Sequence, residues 1–268
     1  MIVYSGVHFH NQKEIKTGYS VPQPKCLILI FDCNLTFQEM KKKLVILSGA
    51  GMSQESGIRT FRDMGGLWEE YDISEVATPE AWHRNPELVM KFYNDRRKQL
   101  YECEPNAGHR GLADLEKDFE VHIITQNVDD LHERAGSSSI LHLHGELKKA
   151  RSSVDESLIY DIDGWELKFG QKCAKGSQLR PHIVWFGEAV PAMEEAIRIV
   201  ENADILAVIG TSLNVYPAAG LVNYVRKGTP VFVIDPERPS VFIRNVTYIQ
   251  EKAGKGLEIL KEKLNELI

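Results

Sequence analysis

Residues 44–51 read Leu-Val-Ile-Leu-Ser-Gly-Ala-Gly, an apolar, β-branched run that breaks straight into small residues. Such a run fits a strand buried on both faces, as in a parallel sheet, rather than one with a wet face. Gly49 and Gly51 leave backbone N–H groups that no side chain shields, and a helix opening after them adds a favourable dipole for a pyrophosphate. The match to the G-x-G-x-x-G fingerprint is partial, because Gln54 stands where the third glycine belongs and no acidic residue marks the expected strand end. Alone, the loop fits either a dinucleotide site or a tight turn.

Outward from this stretch, short apolar runs at 121–125, 140–144, 183–186, 205–209 and 231–234 alternate with helical patterns at 86–102, 107–117, 192–202 and 218–226. The final segment, 254–268, carries Leu257, Leu260, Leu264 and Leu267 at helical spacing. Strands alternating with helices predict an α/β fold with a doubly wound parallel sheet. Between 148 and 180 the pattern weakens, which predicts a small irregular inserted lobe with Tyr160, Trp165, Leu167 and Phe169 as its core. Residues 1–39 have no sustained period, and Pro22 and Pro24 interrupt any helix. We read 1–39 as a dispensable extension or a mis-assigned start, the other reading being a docked flap, and 40–268 as the catalytic unit, with small-lobe elements around 52–105 and 148–180.

The 268 residues carry 32 Lys and Arg against 38 Asp and Glu, a net charge of −6, which gives no general attraction to nucleic acid or an anionic membrane. No apolar segment is long enough to span a bilayer, and the N-terminus lacks a signal-peptide layout. Cys26, Cys33, Cys103 and Cys173 are too scattered for a metal cluster and too few for a disulfide framework, so a reducing cytoplasm is expected.

Past the glycine loop, Arg59, Phe61 and Arg62 place two cations and an aromatic beside the proposed phosphates, and Gly57, Gly65 and Gly66 suit a loop that closes over a cofactor. Gln126, Asn127 and Asp129 follow an apolar run at the carboxyl end, where open α/β sheets bind ligands; Asn127 and Asp129 also suit helix caps. His144 ends another run and is a candidate for the same crevice, while His142 reads as a packing residue.

The order GAGMSQESGIRTFR, TQNVDDLHERAG, HGEL, FGE and GTS resembles the sirtuin family of NAD-dependent protein-lysine deacylases, from Lys42 to the C-terminus. The resemblance implies a Rossmann-like domain plus a small lobe, with acyl-lysine extended between them. It also implies that Gly49, Ala50, Gly51, Arg59, Phe61 and Arg62 hold NAD phosphates and ribose, with Gln126, Asn127 and Asp129 near the nicotinamide. In the family mechanism the acyl oxygen attacks the nicotinamide ribose, nicotinamide leaves, and His144 as general base activates a ribose hydroxyl. Free lysine and O-acyl-ADP-ribose follow. Gly210, Thr211, Ser212 and Asn214 are expected along the cofactor; Asp235 fits a ribose contact or a turn residue before Pro236. Val184, Phe186, Gly187 and Glu188 resemble the segment that pairs with the substrate backbone.

Tyr93 and Arg96 lie three apart on the helical pattern 86–102, hence on one face. The pair resembles that of the sirtuin branch that removes succinyl and malonyl groups, where phenol and guanidinium hold the distal carboxylate; it also suits the surface of an ordinary helix. Acetyl removal is then expected to be weaker, since acetyl leaves the arginine's donors unpaired. Many sirtuins hold zinc in the small lobe with two CxxC pairs, but only Cys173 lies in that stretch here, with Lys148, Arg151 and Ser152 where the first pair would be. No zinc is expected. The competing enzyme reading is an NAD-dependent protein mono-ADP-ribosyltransferase.

Overall fold

The computed structural model describes residues 41–58 and 71–267. The extension 1–39, together with Arg59, Phe61, Arg62, Gly65 and Gly66 of the expected closing loop, lies outside the described residues. Strand β1 (Lys43–Ser48) sits inside a six-stranded sheet with β2 (Glu120–Thr125), β3 (Ile140–His142), β7 (Ile205–Ile209), β8 (Val231–Ile234) and β9 (Val246–Ile249). The order is β3-β2-β1-β7-β8-β9, and every pairing is parallel. Leu44 and Ile46 join an apolar cluster with α5 (Ala107–Leu115) and α8 (Ala253–Asn265). Val45 and Leu47 point the other way, into a cluster with α7 (Met193–Glu201) and a 3-10 turn, Ala218–Asn223. A run with no wet face is thus covered on both sides, and each buried Leu or Ile contributes about 1.5–3 kcal/mol. The chain moves from β1 to one edge and returns beside β1 as β7, so a crevice opens between their carboxyl ends.

The second sheet is small and antiparallel, in the order β5-β4-β6, formed by β4 (Gly145–Ser152), β5 (Ile159–Asp161) and β6 (Leu179–Ile183). It packs on α2 (Ile73–Val76), α3 (Pro79–Arg84) and α4 (Pro86–Glu102) through Val76, Trp82, Val89, Phe92, Leu147 and Ile183. Asn85 caps α4 by accepting the Leu88 N–H, and Pro86 opens its first turn. No described helix is long and apolar enough to cross a membrane.

Several expectations need correction. The stretch 148–180 is irregular over 162–178, apart from an isolated Lys172–Gln178 bridge, but it also carries β5 and parts of β4 and β6, whose short, partly wet strands hide their period. Trp165 and Phe169 are 40% and 59% exposed and do not build the lobe core, whereas Leu167 is buried in it and Tyr160 packs against it. The run 183–186 is not a strand: β6 stops at Ile183, because the Glu188 carboxylate takes the Trp185 N–H and bends the chain. The pattern 218–226 is a short 3-10 turn, and edge strand β9 went unread because its residues Val246–Ile249 are mostly half-exposed.

Candidate active site

At the crevice, Gly49 N–H donates to the Ile209 carbonyl and Gly51 N–H to the Gly210 carbonyl, at 3.0 and 2.9 Å. The two loops touch backbone to backbone. A Cβ on Gly51 would lie 2.8 Å from the Gly210 Cα, and one on Gly210, which holds φ +63°, would lie 2.3 Å from the Met52 nitrogen. No side chain fits, so the strand ends present bare backbone and small hydroxyls. Above them lies a cavity of about 650 Å³. It is lined by Gly49, Ala50, Gly51, Gln126, Asn127 and His144, by Gly210, Thr211, Ser212, Asn214 and Asp235, and on the lobe side by Tyr93, Arg96, Val184, Phe186, Gly187 and Glu188. Asp129 is set deeper, in a small recess that shares Ala50, Arg96 and Asn127 with the large cavity.

The polar groups hold one another in place. Gln126 Nε2 donates to Thr211 Oγ1 at 3.2 Å, tying the end of β2 to the end of β7. Ser53 Oγ donates to Asp129 Oδ2 at 2.9 Å and accepts from Asn127 Nδ2 at 3.0 Å. Asp129 also accepts the Leu131 N–H, but the cap of the helix Leu131–Ala135 is Asp130, so Asp129 stands one residue outside the capping position. Burial raises its pKa, against the lowering effect of the Ser53 bond. His144 sits in the link between the sheets, beyond the end of β3 rather than on it. Its Nδ1 lies 3.1 Å from the Gln126 carbonyl, which only accepts, so neutral His144 carries its proton on Nδ1 and leaves Nε2 basic. Burial lowers its pKa below the ordinary 6.5, partly offset by that carbonyl. His142 bonds the Asn127 carbonyl and Glu133 and so serves packing; burial would lower its pKa, but the Glu133 carboxylate raises it.

On α4, Arg97 turns into the lobe, bonding the Leu147 and Trp165 carbonyls and Asn94, whereas Tyr93 and Arg96 face the cavity. Burial pushes the Tyr93 phenol up to about 12, so it remains a donor. Val184 and Phe186 have already committed their N–H groups to the carbonyls of His144 and Ala77. The Glu188 carboxylate, half-buried, is held by Arg151 at 3.0 Å and Arg180 at 2.8 Å, so it braces the segment from within. Asp235 accepts the Glu237 N–H as a turn residue and also lines the cavity. Sequence reading missed Ser53, inside the first quoted motif, and Trp185, just before FGE; neither carries a local signal of the side chains it meets. Among the described residues no group of three or more His, Cys, Asp or Glu is placed to hold a metal. Cys173 lies 3.0 Å from Ser177 Oγ.

Residues 49–217 match the Sir2 family. The chain belongs to the Sir2 family. An NAD-dependent protein deacylase of Bacteroides thetaiotaomicron is 57% identical over 229 residues, covering 83% of this chain and 98% of that relative. A solved Sir2 homolog–NAD complex is 40% identical with a TM-score of 0.76, covering 85% of this chain and 91% of that one. A Sir2 protein solved with a deacetylated peptide and 3'-O-acetyl ADP ribose is 29% identical with a TM-score of 0.73, covering 83% and 94%. The Rossmann-like sheet with a separate small sheet is the architecture shared with these Sir2 structures.

Proposed function

We propose that this Sir2-family chain is an NAD-dependent protein-lysine deacylase that prefers acidic acyl groups, succinyl and malonyl, over acetyl. The observation that carries the reading is that His144, the bare glycine loops and the pair Tyr93 and Arg96 line one cavity. The fit to NAD rests on the cradle: a Cβ at Gly49 would lie 2.6 Å from the Thr211 Cβ, so only a bare loop can stand there. Gly49, Ala50 and Gly51 would hold the phosphates, Thr211, Ser212, Asn214 and Asp235 the adenosine side, and Gln126, Asn127 and Asp129 the nicotinamide side. Arg59, Phe61 and Arg62 belong to the same proposal. Bound there, NAD supplies an activated glycosidic bond whose cleavage releases nicotinamide.

The residues of the chain then have distinct tasks. Asn127 and Asp129, braced by Ser53, orient the recess. His144, neutral and proton-bearing only at Nδ1, accepts a proton at Nε2. Val184, Phe186 and Gly187 guide the peptide; with two of their N–H groups spent, strand pairing must use carbonyls and Gly187. Arg96 and Tyr93 meet the distal carboxylate, whereas a neutral acetyl brings no acceptor to the Tyr93 phenol. The catalytic unit is 40–268, with 1–39 outside it; the match to the relative above, which covers 83% of the chain, leaves room for such an extension. The small lobe is held without zinc, by its apolar core, the Arg151–Glu188–Arg180 cluster and the Cys173–Ser177 contact.

The test compares succinyl-, malonyl- and acetyl-lysine peptides with the intact protein and with Arg96→Met. Nicotinamide release should be fastest with the acidic peptides. Arg96→Met should cut their kcat/KM by about a hundredfold, the worth of charge-assisted hydrogen bonds. Equal rates on all three peptides would remove the acidic preference and leave deacylation standing.

A further inference from the structure

Behind the proposed acyl pocket, the Trp185 indole Nε1 donates to the Tyr93 hydroxyl oxygen at 3.1 Å, and both side chains are buried, at 2% and 5% exposure. A phenol has one proton and accepts on its remaining lone pairs. With the indole hydrogen pointing at the oxygen, the phenolic proton cannot turn the same way, since two hydrogens would face each other. Among the described residues the Tyr93 hydroxyl donates to no acceptor, although Tyr93 lines the cavity. The indole itself is clamped. The Arg180 guanidinium lies 3.3 Å above its ring centroid, the Trp82 ring is 5.8 Å away, and Glu188 holds both Arg180 and the Trp185 backbone N–H.

We propose that Trp185 is a positioning residue for acyl selection: by filling the acceptor side of the Tyr93 hydroxyl it turns that hydroxyl's proton toward the acyl cavity. The phenolic donor then faces the cavity beside Arg96. A distal carboxylate, which only accepts, satisfies that donor, and a methyl group leaves it unmatched. Without the indole N–H, the hydroxyl is free to rotate and offer a lone pair, and the discrimination weakens. This rests on the acidic-acyl reading above and adds to it the residue that fixes the direction of the phenolic donor.

The test uses the full-length protein with succinyl- and acetyl-lysine peptides at saturating NAD, together with Trp185→Phe, which keeps an aromatic ring beneath Arg180 and loses the donor along with the second ring of the indole. The ratio of succinyl to acetyl kcat/KM should fall about tenfold, through KM for the succinyl peptide rather than through kcat. Calorimetric affinity for the succinyl peptide should fall with it. In a Tyr93→Phe background, Trp185→Phe should shift the ratio no further. Equal losses on both peptides, or a further shift in that background, would overturn the proposal in favour of packing alone. Should Trp185→Phe not fold, benzothienylalanine at position 185 keeps the ring shape without the N–H, and the same outcomes decide. A wild-type protein that prefers succinyl while Trp185→Phe leaves the preference intact sinks only the role of Trp185; one with no preference sinks the acidic-acyl reading as well.

Discussion

The carboxyl end of the parallel sheet and the small lobe bound the same cavity with opposite materials. The sheet end offers bare backbone at Gly49, Gly51 and Gly210 and hydroxyls at Ser53 and Thr211, with the Asp129 carboxyl held by Ser53 and, behind the lining, His109 and His132, both held neutral by burial. The lobe end offers Arg96 in the lining and, behind it, the largely buried Arg97, Arg151 and Arg180, with Glu188 among them. Neutral groups at close quarters suit chemistry common to every substrate, because they bind a shape and move a proton without favouring a charge. Buried cations suit a choice between substrates, because an unmatched charge is costly. On this division, damage at the sheet end should stop all acyl groups alike, and damage in the lobe should change which acyl group is preferred or loosen the lobe.

The sharpest way to break that division is His144→Ala. Turnover of acetyl and succinyl peptides should fall together, on the order of a thousandfold, while NAD binding measured by calorimetry persists. A loss confined to one acyl group would place His144 on the selective side instead.

Next in size is Glu188→Gln, which leaves Arg151 and Arg180 without their shared carboxylate. Breaking a buried ion pair costs about 3 kcal/mol, and the loss should appear as a lower Tm and as faster hydrogen exchange in β4 and β6. Exchange spread evenly into β1 and β7 would show that the two regions are not independent in stability.

The smallest effect separates them by pH. His109 is held near 4 by burial, against 6.5 for an ordinary imidazole, so only the unfolded chain takes up that proton between these values. Its contribution is intact above pH 6.5 and drains away as pH falls toward 4, by about 2 kcal/mol at pH 5. Burial tends to raise the Glu188 pKa, but Arg180 and the Trp185 N–H hold it below the ordinary 4.5, so its contribution is intact above that value and is lost only in stronger acid. At pH 5, exchange corrected for intrinsic rates should therefore rise around α5 and β2 before it rises around Glu188, while His182 of β6, whose pKa burial also lowers, adds its own loss in that strand. The opposite order would contradict the assignment of neutral and charged interiors.

The two regions were also unequally legible before the structure was known. Strands β1, β2, β7 and β8 are short apolar runs bounded by turns, so local period was enough to place them, and Gln126 and Asn127 could be located from the end of β2. In β4, Lys148, Lys149 and Arg151 interrupt the apolar pattern, and β5 spans only Ile159–Asp161, so no period survives there. Trp165 and Phe169 misled for a related reason: hydrophobicity says that a ring can be buried, and only the surrounding chain decides whether it is.

Local patterning thus determined the parallel α/β sheet and its glycine loop, because burial on both faces and bare backbone leave their mark on consecutive residues. The order of motifs was enough for the family. Tertiary structure alone decided that Arg151 and Arg180 share Glu188, that Ser53 braces Asp129, and that Trp185 meets Tyr93 across a separation of 92 positions. Those contacts join residues distant along the chain, and their geometry arises only when two independently built sheets close on one cavity.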